Sequence, residues 1–76
     1  MEELDTRHLL CPMPVIKLQK RMELLTPTDR IRVRATDPGV LHDIPAWCRI
    51  HGHQVMNVVE LEEEILIDVE YGGADK

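Results

Sequence analysis

The sequence predicts an α/β fold, a two-layer α/β sandwich in the order β-α-β-α-β-β, with a mixed four-stranded sheet and two helices on one face. Three patterns predict it. Arg30-Ile31-Arg32-Val33-Arg34-Ala35 alternates strictly between apolar and charged residues, the signature of a strand with one dry and one wet face. Two segments carry apolar residues at helical spacing, and the last third holds two strand patterns joined by an acidic turn. Strict alternation argues against a sheet covered on both faces, so the helices belong on one side and solvent on the other.

The first element is a brief polar strand over residues 2 to 7, around Leu4 and Thr6. His8-Leu9-Leu10 then leads into Cys11-Pro12-Met13-Pro14. Proline suits the first helical positions because its φ is already helical and its missing N–H has no intrahelical partner there. The first helix is therefore expected to start at Pro12 and run to about residue 25. Val15, Leu18, Met22 and Leu25 form its buried stripe, and Lys17, Lys20 and Arg21 fall away from it. Thr26-Pro27-Thr28-Asp29 is a turn, and the alternating strand follows.

Asp37-Pro38 is a helix-start signal, but Pro45 implies a broken hydrogen bond and a clash near residue 41 if one helix runs through it. The expectation is a turn at 38 to 42 and a helix that restarts with Asp43 as N-cap. That helix stops at His51-Gly52, where glycine can take the left-handed C′ conformation. Strands at about 53 to 60 and 64 to 71 flank Leu61-Glu62-Glu63 as a hairpin. Ile65, Ile67, Val69 and Tyr71 share one face of the second. Asp68 and Glu70, on the other, are expected to pair with the arginine face of the middle strand.

At 76 residues, 43% of them apolar, with one Trp and no Phe, the chain reads as a single domain over 1–76 with a small aliphatic core. So small a domain has little room to enclose a substrate or cofactor, which favours a carrier or adaptor over a self-sufficient enzyme. No cofactor site is expected. The formal charge of −5 and the lack of a basic run with aromatics argue against direct nucleic-acid binding. An acidic N-terminus without an apolar h-region, and no window of bilayer length, make a cytoplasmic protein without membrane attachment the expectation. A monomer is expected.

Cys11 is the residue best placed for chemistry. At a helix N-terminus, unpaired N–H groups and the positive end of the macrodipole favour thiolate, so the expectation is a lowered pKa and a reactive sulfur. The competing reading is a buried cysteine acting as a small apolar side chain. A thioredoxin-type dithiol cycle is excluded locally, because Pro14 stands where the second cysteine would be. Cys48 follows Val40 and Ile44 on the apolar stripe of the second helix and reads as core. The two cysteines do not have a metal-ligand spacing, and no metal site is expected. His8, His42, His51 and His53 read as solvated or helix-terminal residues, although His8 lies close enough in sequence to tune the thiol. With Met13 and Lys17, His8 is a candidate partner surface beside Cys11.

Leu4-Asp5, Cys11-Pro12-Met13-Pro14-Val15, Asp37-Pro38, Asp43-Ile44-Pro45 and Trp47-Cys48 together resemble the TusA (SirA-like) sulfur-carrier family over nearly the whole chain. The resemblance implies the same two-layer sandwich and a persulfide carried on Cys11, with Pro12 and Pro14 fixing the helix start around it. It implies a cysteine desulfurase or rhodanese-like protein as donor and a protein thiol as acceptor. The receiving pathway, whether tRNA thiolation, molybdenum-cofactor maturation or sulfur oxidation, stays open. So do two other classes: a redox or regulatory thiol protein, and an interaction module using the Cys11 surface. The chain departs from the family at His8, where members commonly have glycine, and at Leu10, where a polar residue is frequent.

Overall fold

The computed structural model describes residues 2–26 and 28–72. Its elements are β1 (Glu2–Thr6), α1 (Met13–Met22), β2 (Arg30–Ala35), α2 (Val40–His51), β3 (Gln54–Glu60) and β4 (Ile65–Glu70). The expected element order and two-layer sandwich are both present. The sheet order is β1-β2-β4-β3; β1 runs parallel to β2, and β4 pairs antiparallel with both β2 and β3. The parallel pair needs a crossover, which α1 supplies. The turn expectation at Pro27 lies outside the described residues.

The core is aliphatic and lies between the helices and one face of the sheet. Leu18 and Met22 come from α1, Val40, Ile44 and Cys48 from α2, Ile31, Val33 and Ala35 from β2, and Ile65, Ile67 and Val69 from β4. These are the inward positions of the alternating strands and of the two stripes. On the opposite face the arginines pair across strands as expected. Arg32 Nε and Nη2 donate to the Asp68 carboxylate at 2.7 and 3.1 Å, Arg30 lies 3.7 Å from Glu70, and Arg34 reaches Glu64 at 2.9 Å. Arg21, expected on a solvated helix face, instead folds back onto β1 and pairs with Glu2.

Both helices differ from expectation at their boundaries. α1 begins at Met13, with Pro12 as N-cap and Pro14 in the first turn. It ends at Met22, after which Leu24 and Leu25 N–H donate to the carbonyls of Arg21 and Met22, a tighter winding that still delivers Leu25 to the core.

The second correction bears on function. α2 is unbroken from Val40 through Pro45, so the expected turn shrinks to Pro38 and Gly39, and Asp43 is not an N-cap. Its first turn is anchored by Val40 N–H to Asp37 C=O, Leu41 N–H to Pro38 C=O and His42 N–H to Gly39 C=O, at 3.0 to 3.1 Å. An interior proline costs roughly 3 kcal/mol. Burying Val40 and Ile44, both at most 1% exposed, contributes about 1.5–3 kcal/mol each. Those contacts, with Cys48 added, offset the defect, so the helix keeps its register through the proline. Gly52 closes it at φ 80°, as expected, with a cap hydrogen bond to Cys48 C=O.

Candidate functional site

Cys11 is exposed, at the end of the loop that enters α1. That loop is tied to the segment between β2 and α2. His8 N–H donates to Thr36 Oγ1 at 2.8 Å, and Cys11 N–H donates to Asp37 Oδ2 at 2.8 Å. The other Asp37 oxygen accepts Gly39 N–H at 3.1 Å, so one carboxylate braces both sides of the junction. Those two backbone donors hold the Asp37 carboxyl below its ordinary range. Gly39 lies next to the thiol residue: a Cβ there would stand in ordinary van der Waals contact with Cys11 Cβ, at 3.6 Å.

The thiol itself donates to Asp43 Oδ2. Because α2 starts at Val40, Asp43 stands at its fourth residue, and its carboxylate is directed at sulfur rather than at helix N–H groups. This reverses the expected ionisation of Cys11. The hydrogen bond to Asp43, some loss of hydration and the charges of Asp43 and Asp37 all raise its pKa above the ordinary thiol value. The start of α1 offers little to oppose them. Pro12 and Pro14 have no N–H, and Met13 N–H is already bonded to Leu10 C=O at 2.8 Å.

His8 occupies the left-handed region at φ 67°, a conformation that favours glycine. The loop therefore follows the path a glycine would take there, with a histidine in its place. Leu10 and Met13, close to Cys11 in the chain, and Ile16, one turn further along α1, are 75%, 43% and 38% exposed, and Lys17 next to Ile16 is exposed as well. An apolar rim next to an exposed sulfur can seat against another protein. Cys48 is buried, and burial pushes its thiol up to about 11.

His42 is exposed on α2, and His51 and His53 belong to a separate cluster. His51 and His53 stack with Trp47 and, for His53, Tyr71, at ring separations of 4.8 to 5.1 Å. They line a groove of about 160 Å³ that also includes Met22 and Glu23. That groove is at the C-terminal ends of both helices, about 15 Å, the length of α1, from the thiol. Among the described residues there is no group of three or more potential metal ligands, and no helix is long and apolar enough to cross a membrane. Sequence reasoning missed Asp37 and Asp43 as partners of Cys11. Their signals were present in Asp-Pro and Asp-Ile-Pro, but both motifs also read as helix starts.

The chain that builds this site is matched over residues 2–69 by the family model described as Sulfurtransferase TusA. The chain belongs to the TusA family. Among its relatives, the putative sulfur carrier protein YrkF of Bacillus subtilis strain 168 is 41% identical over 63 residues, which are 83% of this chain and 34% of YrkF. The chain thus spans about a third of that relative. The putative sulfur carrier protein YrkI of the same strain is 36% identical, with 83% of each chain covered. The sulfur carrier protein TusA of Pseudomonas syringae pv. tomato is 41% identical over 61 residues, 80% of this chain and 70% of that one.

Proposed function

We propose that this TusA-family chain is a sulfur carrier that accepts sulfane sulfur as a persulfide on Cys11 and passes it to a protein thiol. The observation that carries the reading is the exposed Cys11 sulfur at the head of α1, with exposed Leu10 and Met13 close to it in the chain and exposed Ile16 one turn further along the helix. A thiol held at the surface can enter a partner's active site. The donor is a cysteine desulfurase or rhodanese-like protein, and His8, Met13 and Lys17 form part of the docking surface. The proposed setting is a cytoplasmic relay in which the single domain acts as a monomer.

In uptake, Cys11 Sγ attacks the outer sulfur of the donor persulfide, and the donor's S–S bond breaks with its electron pair leaving on the donor cysteine. Cys11 is oxidised from thiol to persulfide, and the donor cysteine is reduced to thiol. In delivery, an acceptor thiolate attacks the outer sulfur and Cys11 leaves as the thiolate. A raised thiol pKa strengthens the attacking sulfur once it is ionised and makes it a poorer leaving group. At neutral pH the smaller thiolate fraction outweighs that gain, so the free carrier is slow both to take up sulfur and to release it.

The test is intact mass after incubation with a persulfide donor. One sulfur atom should be added and removed by reductant; Cys11→Ser should abolish the gain and Cys48→Ala should not. A protein that gains no mass with a competent donor is not a carrier. Oxidation of Cys11 without sulfur gain identifies a redox thiol instead.

A further inference from the structure

The fold places a carboxylate where a sulfur carrier would least obviously benefit from one. Asp43 accepts the Cys11 S–H, although a nearby negative charge opposes the thiolate that must attack the donor. The position is set by the backbone. Asp43 N–H is bonded to Gly39 C=O at 3.0 Å within α2, the next residue, Ile44, is anchored in the core, and Gly39 abuts Cys11. Among the described residues, the ionisable groups acting on the Cys11 sulfur are Asp43, by hydrogen bond and charge, and Asp37, by charge. Their roles differ. Asp37 is committed to the N–H groups of Cys11 and Gly39, so Asp43 is the carboxylate that holds the proton of the sulfur.

We propose that Asp43 is a positioning residue that keeps the free carrier in its thiol form and fixes the direction of its S–H bond until a docked partner competes for the Asp43 carboxylate. The assignment rests on the reading of Cys11 as the carrier thiol. Such a residue lowers the reactivity of an exposed sulfur toward stray electrophiles between encounters. On docking, a hydrogen-bond donor of the partner takes Asp43 as its acceptor and frees the sulfur. The proton of Cys11 ends on the departing donor cysteine, so the exchange of donor persulfide and Cys11 thiol for donor thiol and Cys11 persulfide balances without another reagent.

The experiment is the pH profile of Cys11 alkylation by iodoacetamide in the full chain, followed by intact mass in a Cys48→Ala background, between about pH 6 and 10. Asp43→Asn removes the charge with little change in shape and should move the midpoint to lower pH. For each unit it moves, thiolate at neutral pH rises about tenfold while its intrinsic nucleophilicity falls about threefold, so alkylation speeds up roughly threefold. Asp43→Glu should restore a midpoint near that of the parent protein. An unchanged or higher midpoint for Asp43→Asn overturns the assignment. Should that variant not fold, the parent protein decides: its midpoint must lie above that of an unfolded peptide spanning residues 8–14, and an equal or lower value overturns the proposal. Alkylation needs no sulfur donor, so this result is independent of whether Cys11 carries sulfur.

Discussion

Replacing His8 by glycine should stabilise the protein. His8 has φ 67°, where the Cβ of an L-residue crowds the following carbonyl at a cost of roughly 1–2 kcal/mol. Glycine avoids that crowding but loses more freedom on folding, about 0.5–1 kcal/mol. The hydrogen bond of this residue to Thr36 Oγ1 uses the backbone N–H, so it survives the substitution. The difference leaves a net gain of about 0.5–1 kcal/mol, which for a domain of this size raises Tm by about 2–8 °C. Thermal unfolding followed by circular dichroism measures it. His8→Val, β-branched and poorly suited to a positive φ, should lower Tm. An unchanged or lower Tm for His8→Gly would refute the reasoning, because the imidazole would then contribute contacts that outweigh the backbone strain.

Two further outcomes follow from the ion pairs and the carboxylate brace. Asp68 is 6% exposed and takes two hydrogen bonds from Arg32, whereas Glu70 meets the exposed Arg30 at 3.7 Å; Asp68→Ala should therefore lower Tm clearly more than Glu70→Ala, and equal losses would show that burial does not set the value of these pairs. The Asp37 carboxyl has a folded pKa depressed by its two backbone donors, so its contribution is complete above the ordinary aspartate value of about 3.9 and is lost as pH falls through the lower folded value. The Tm difference between the parent protein and Asp37→Asn should be constant near neutral pH and shrink below about pH 4; a gap that persists unchanged into acid would contradict this account.

Most of the architecture is legible in the chain because its signals are local. Alternation in Arg30–Ala35 marks β2 and its wet face, and Leu18, Met22, Ile44 and Cys48 mark the helix stripes. Gly52 ends α2 where the sequence places the stop. The error at α2 had a specific cause. Pro45 and Asp43 are strong local signals for a helix start, but burial of Val40 and Ile44 against the sheet outweighs one missing hydrogen bond. Local propensity is a weak guide where tertiary packing opposes it.

The sequence by itself determined the layers, the core faces, a cysteine at the head of a helix and a second cysteine on a buried stripe, and it left Cys11 open between a reactive and a buried position. It could not determine the state of the Cys11 sulfur. Asp37 and Asp43 lie 26 and 32 residues from it along the chain, and only the docking of α2 beside the loop before α1 brings their carboxylates to the thiol. Helix-terminus effects can be read from neighbours in sequence. The hydrogen bond to Asp43 and the charges of the two carboxylates depend on distances that the fold alone sets.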